Sequence, residues 1–131
     1  MQLTHKLTAI IADDSALIRE RLFGILSKFE RIDLIEQAKD TSEAEDKIVR
    51  LNPDIVILDI RMPGGGGFEV LKTRKKKNLK SCVIILTSYP YPQYHDKSLE
   101  LGADYFLHKE TDIKKLGEIL SGIIMKNEKS N

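Results

Sequence analysis

At 131 residues with a net charge of +1, the chain is the size of one domain and has no overall drive toward nucleic acid or acidic membranes. Its 41% hydrophobic and 31% charged residues are those of an ordinary globular protein, and no run approaches the roughly 18 apolar residues of a membrane-spanning helix. The single cysteine, Cys82, excludes a disulfide framework and a thiolate metal site, so a cytoplasmic protein with a buried structural thiol is expected.

Leu7 to Ala12 is the first of five short apolar runs and ends on Asp13 and Asp14. Leu17, Ile18, Leu22, Ile25, Leu26 and Phe29 then recur at helical intervals, with Ser15 as the cap. Ile32 to Ile35 reads as a second strand. Ser42 and Glu45 read as a capping box opening a helix toward Leu51, which Asn52 and Pro53 stop. Ile55 to Leu58 is the third strand and ends on Asp59. Met62, Pro63 and the glycines from Gly64 to Gly67 predict a flexible loop before Phe68, Val70 and Leu71 begin a third helix. Val83 to Leu86 leads into Thr87, and Pro90 and Pro92 delay a fourth helix to Gln93 through Leu101, with Gly102 as its stop. Asp104 to Leu107 is the fifth strand, just short of Lys109. Ile113, Leu116, Ile119, Leu120, Ile123 and Ile124 mark a fifth helix capped by Thr111. The chain is expected to be one domain over residues 1–131, with a core of about 5–125 and a polar, frayed tail from Lys126 to Asn131.

Runs of Ile, Val and Leu without polar alternation suit strands buried on both faces, and strict alternation with helices implies right-handed crossovers. The expected fold is therefore α/β: a three-layer sandwich around a five-stranded parallel sheet, flavodoxin-like and doubly wound, in the order 2-1-3-4-5. In such sheets ligands bind outside the carboxyl ends of the strands at the switch point, here between strands one and three. Asp13, Asp14, Asp59, Thr87 and Lys109 all follow strand ends and should converge there.

Three carboxylates in one crevice repel each other, and a divalent cation is the simplest remedy. An all-oxygen set with few protein ligands suits Mg²⁺, which keeps several waters and is held by one or two carboxylates plus phosphate oxygens. With Asp13 and Asp14 neutralised, Asp59 can act as a nucleophile on phosphorus. Lys109 supplies a mobile positive charge and Thr87 a hydroxyl donor. Singly, each residue has a plainer use: Asp14 caps a helix as readily as it binds metal, and a strand-ending Thr or a solvated Lys is common. Jointly they require the right residue type at several strand ends, which is far harder to dismiss.

The motifs IIADD (Ile10 to Asp14), VILDIRMPG (Val56 to Gly64), ILTS (Ile85 to Ser88) and GADYFLHK (Gly102 to Lys109) cover essentially the whole chain. As an ordered set they resemble the receiver domain of two-component response regulators. The resemblance implies that Asp59 is the phosphoacceptor, that Asp13 and Asp14 are the acidic metal pair, and that the backbone carbonyl of Arg61 is a third protein ligand to Mg²⁺. It also implies a phosphoryl-sensing hydroxyl at Thr87, the family's lysine at Lys109 and an aromatic switch at Phe106, with Tyr105 out of register. The donor would be a histidine kinase or a phosphotransfer protein. The output would be a remodelled face of helix four, strand five and helix five, acting on a downstream effector or through a homodimer. Such a chain catalyses only its own phosphorylation and dephosphorylation and is not otherwise an enzyme.

Glu110 stands where many receivers have proline, which resembles the subgroup often found in transcriptional regulators ending in a helix-turn-helix. Phe106 lacks the hydroxyl of the usual tyrosine, so it can rotate without making that hydrogen bond. Arg61 and Tyr89 are placed to shield or guide an attacking water and so to set the lifetime of a phosphorylated state. No effector follows residue 125, so the expectation is a stand-alone receiver or the N-terminal part of a longer regulator.

Arg74 to Lys77 with Lys80 reads as a solvated basic face, and His5, His95 and His108 have no metal-ligand spacing. His108 should point to the face of its strand away from Lys109. Leu3 and the tyrosines at 89, 91 and 94 suit either loop surface or a partner contact. Two rival functions stay open: an aspartate-nucleophile phosphatase or phosphotransferase, which usually carries a DxD arrangement absent after Asp59, and a degenerate receiver serving only as a dimerisation module. A dinucleotide site is weaker still, since no GxGxxG follows strand one.

Overall fold

A computed structural model of the chain describes residues 6–129, apart from the side chains of 128 and 129. Leu3, His5 and the last tail residues, Ser130 and Asn131, lie outside them.

The central apolar runs form strands because both of their faces are covered, whereas the two edge strands stay partly exposed. β1 (Leu7–Ala12), β2 (Ile32–Ala38), β3 (Ile55–Leu58), β4 (Cys82–Thr87) and β5 (Tyr105–His108) make a parallel sheet in the order β2-β1-β3-β4-β5. Successive residues of a strand serve opposite layers. Ala9, Ile11, Ile55, Ile57, Ile84 and Leu86 pack with Leu22 and Leu26 of α1 (Ala16–Leu26) and Leu116 and Leu120 of α5 (Ile113–Lys129). Their neighbours Ile10, Val56, Leu58, Val83 and Ile85 pack with Ala44 and Ile48 of α2 (Thr41–Leu51) and Val70 and Leu71 of α3 (Gly67–Lys76). α4 (Pro92–Glu100) lies on that second side, where Tyr94 joins the same cluster. This is the expected α/β sandwich. Among the described residues no helix is long and apolar enough to cross a membrane.

Local signals are obeyed at several ends. Ser15 Oγ accepts from the Ile18 amide and caps α1, Asn52 ends α2 in a left-handed conformation, and Gly102 follows α4 at φ +102°. Elsewhere the details differ. α2 is capped two residues earlier than Ser42 and Glu45 suggest. Asp40 Oδ1 accepts from the Glu43 amide at 2.8 Å and Glu43 accepts from the Lys39 amide at 3.0 Å, a reciprocal pair that resembles a capping box but reaches back to the residue before the cap. Glu45 instead takes a hydrogen bond from Thr73 Oγ1 on α3. α5 starts at Ile113, so Asp112 precedes it rather than Thr111, whose hydroxyl lies 3.1 Å from His108 Nδ1. The same helix runs to Lys129, so Lys126 continues it and does not open a frayed tail. β2 also extends past Ile35 to Ala38, held by pairing with β1 rather than by an apolar run of its own.

Two expectations for single side chains change. Arg74 does not belong to a solvated face: its Nε donates to the Ser81 carbonyl at 3.0 Å, tying the end of α3 to the approach to β4. Cys82 is half-buried rather than buried, and burial, with Asp104 beside it, pushes its thiol up to about 12. It is not a reactive thiolate at neutral pH.

The glycine-rich loop after β3 is specified and not merely loose. Gly66 adopts φ +81°, and a Cβ there would lie 2.0 Å from the Ile60 carbonyl oxygen. Only glycine allows that approach. Gly66→Ala is therefore expected to destabilise the protein by roughly 3 kcal/mol, read as a lower urea midpoint with unchanged slope. An unchanged midpoint would contradict this packing.

Candidate functional site

Pairing of Ala12 with Leu58 across β1 and β3 makes Asp13 and Asp59 leave the sheet side by side. Their amides stay in the ladder, Asp13 N–H donating to the Ala38 carbonyl at 3.0 Å and Asp59 N–H to that of Ala12 at 2.9 Å. Both carboxylates are thereby aimed off the rim while remaining only 2% and 5% exposed. Asp14 is exposed beside them. One carboxylate oxygen from each of Asp13, Asp14 and Asp59 lies within 4.8 Å of the others.

Lys109 arrives from the opposite side of the sheet. Its amide donates to the Thr87 carbonyl at 2.8 Å, continuing the β4–β5 pairing. Its ammonium reaches Asp13 Oδ2 at 2.7 Å and Asp59 Oδ2 at 2.9 Å. One cation thus faces two buried carboxylates, and Asp59 Oδ1 is buried with no hydrogen-bond partner among the described residues. Burial raises the Asp59 pKa, the Lys109 hydrogen bond pulls it down, and the charge of Asp13 raises it further. Burial also pulls Lys109 down, but hydrogen bonds and charge from Asp13 and Asp59 together outweigh it and leave its pKa raised. An orphaned buried carboxylate oxygen among three clustered carboxylates is chemistry that fits a hard divalent cation.

Neighbouring groups fix this frame. Asp13 Oδ1 accepts from the Ser15 amide at 2.9 Å, and Arg19 of α1 donates to the Asp13 carbonyl at 2.8 Å and to Gln37 Oε1 at 3.1 Å. Arg19 carried no signal in the sequence, because its partner on β2 is brought near only by the fold. Thr87 ends β4 fully buried, and its hydroxyl accepts from the Tyr89 amide at 3.1 Å rather than meeting the carboxylates.

Arg61 and Tyr89 do meet. The guanidinium carbon sits 3.7 Å from the Tyr89 ring centroid, and Nη2 donates to the Tyr94 hydroxyl at 3.1 Å. The Arg61 side chain thus points toward α4, an exposed cation laid over the half-buried Tyr89 and Tyr94 at the rim. Phe106 is half-buried, its ring edge-to-face with His95 of α4 at 5.2 Å, whereas Tyr105 is exposed. His95 faces Asp96 and His108 faces Thr111, so neither histidine enters the carboxylate cluster.

Residues 9–121 match the family described as the response regulator receiver domain. The Bacillus subtilis protein named as an uncharacterized transcriptional regulatory protein, YvfU, is 34% identical over 110 residues, 84% of this chain and 55% of that protein. A protein-glutamate methylesterase/protein-glutamine glutaminase of Methanospirillum hungatei is 34% identical over 112 residues, 84% of this chain and 33% of that protein. Among solved structures, a DNA-binding response regulator of the LuxR family from Staphylococcus aureus superposes with a TM-score of 0.77 at 33% identity, covering 90% of this chain and 98% of that one. The chain spans about half the length of the first curated relatives it matches. With this match over most of the chain, the sheet order and the rim of acidic and lysine groups, the chain belongs to the response regulator receiver domain family.

Proposed function

We propose that the chain is a phosphoacceptor switch, taking a phosphoryl group from a histidine kinase or phosphotransfer protein onto Asp59. The observation that carries this reading is the buried Asp59 carboxylate, one oxygen held by Lys109 and the other without a hydrogen-bond partner among the described residues, beside two further carboxylates. Asp13, Asp14, Asp59 and the Arg61 backbone carbonyl are the groups that would hold Mg²⁺. Bound there, the cation neutralises carboxylate repulsion and the charge of the phosphoryl oxygens.

The remaining work falls to the chain itself. Asp59 attacks phosphorus as the P–N bond of the donor phosphohistidine breaks, its electron pair leaving on the imidazole nitrogen. Lys109, already at 2.9 Å, holds the attacking carboxylate in place and balances the incoming charge. Thr87 exchanges its Tyr89 amide contact for the new phosphoryl oxygens, and the space it leaves favours an inward turn of Phe106. The α4–β5–α5 face changes with it, by a population shift set by what the phosphoryl group binds better in one state. Downstream we propose a cytoplasmic effector or transcription-regulating domain, as the names of several relatives suggest, or a homodimer formed on phosphorylation. Beyond its own phosphorylation and dephosphorylation we assign it no catalysis.

Incubation with a small acyl phosphate and Mg²⁺, followed by intact-mass spectrometry, tests this. One added phosphoryl group that requires the cation is expected. No uptake at any cation concentration, or sustained turnover of small phosphate esters, would overturn the reading.

A further inference from the structure

We infer that Thr41, the first residue of α2, is a positioning residue for the loop that carries the acceptor site. This rests on the reading of Asp59 as phosphoacceptor and adds a residue to it.

The loop between β3 and α3 must hold the Arg61 main chain against Asp59; Ile60 and Met62 anchor its first part in the core, yet its glycine part has little means of holding itself. Gly64, Gly65 and Gly66 all take positive φ and offer no side chain to anchor. Its internal tie is a hydrogen bond from the Gly67 amide to the Ile60 carbonyl at 2.7 Å. Two further ties come from a single residue across the rim. Thr41 Oγ1 accepts from the Gly66 amide at 2.7 Å, and the Thr41 amide donates to the Pro63 carbonyl at 3.0 Å.

Thr41 is 1% exposed, so water does not replace either bond. Its amide belongs to the first turn of α2, where a backbone N–H has no partner inside the helix and is free to bind elsewhere. Asp40 caps the same turn through the Glu43 amide, which leaves the Thr41 groups for the loop. The bond at Gly66 seats that glycine on the Ile60 carbonyl, next to Asp59. The position of the Arg61 carbonyl thus depends on a hydroxyl that touches neither cation nor phosphoryl group.

Thr41→Val keeps the shape and amide of this residue but removes its acceptor, whereas Thr41→Ser keeps the acceptor. Mg²⁺ affinity by calorimetry and the phosphorylation rate at saturating donor are measured for both, well below their unfolding temperatures. A misplaced ligand or reacting group is costly, so Thr41→Val should weaken Mg²⁺ binding and slow phosphorylation by about 10-fold each, with Thr41→Ser within about 2-fold of wild type. Folded Thr41→Val with wild-type affinity and rate would overturn the inference. So would equal losses in both variants, which mark a packing role. Should Thr41→Val not fold, Thr41→Ala is measured in its place with the same two outcomes. Wild-type protein with no Mg²⁺ affinity and no uptake would instead refute the phosphoacceptor reading, and this inference with it.

Discussion

Asp59→Asn is expected to lose phosphoryl uptake and to gain stability. The amide is not a nucleophile toward phosphorus, so labelling should fall by at least about 10²-fold, the least expected from removing the attacking group of a covalent step. Stability should move the other way because Lys109 remains paired to Asp13 at 2.7 Å while one of two buried carboxylates is gone. Burial first, and Asp13 next, raise the folded-state pKa of Asp59 above its unfolded value. The stability tied to this group is therefore complete below the unfolded pKa and is lost as pH rises through the folded one. The advantage of Asn over Asp should accordingly grow from acid to neutral pH, measured by urea unfolding without divalent cations. An advantage that is flat or shrinks with rising pH would contradict the electrostatics described.

Lys109→Met should be the most destabilising change at the rim. It removes the ammonium that contacts Asp13 and Asp59 while keeping the length of the side chain, and it leaves two carboxylates buried without their counter-ion. Breaking a buried pair from one side costs roughly 3 to 5 kcal/mol. The deficit should shrink as pH falls and Asp59, whose pKa is raised by burial, takes up a proton, and Mg²⁺ should recover part of it by mass action. Urea unfolding of wild type and variant, with and without Mg²⁺, checks all three. A Lys109→Met protein as stable as wild type would mean that the lysine is a bystander.

The sheet and its order were legible because buried strands and amphipathic helices leave different periods, and because Asp13, Asp59, Thr87 and Lys109 sit at strand ends where topology alone gathers them. What escaped the sequence depends on partners distant along the chain. Asp40 displaced Ser42 as the cap of α2, since which candidate caps a helix depends on where its first turn begins, and neighbouring Asp and Ser residues compete on nearly equal terms. Arg74 looked like part of a lysine run until β4 brought the Ser81 carbonyl to it. Thr41 gave no signal at all, because its hydroxyl acts on a glycine amide of another loop. The glycines themselves were visible, but as looseness. Their close approach to the Ile60 and Asp59 carbonyls is a tertiary fact.

Asp59, among the clustered carboxylates, is the group proposed to accept phosphorus. Reduction of the phosphorylated protein with borohydride converts an acyl phosphate to an alcohol, so peptide mapping by tandem mass spectrometry reads out the labelled residue directly. Homoserine at position 59 and nowhere else is the predicted result. Homoserine at Asp13 or Asp14, or a phosphoryl group found on a hydroxyl or a histidine, would contradict it.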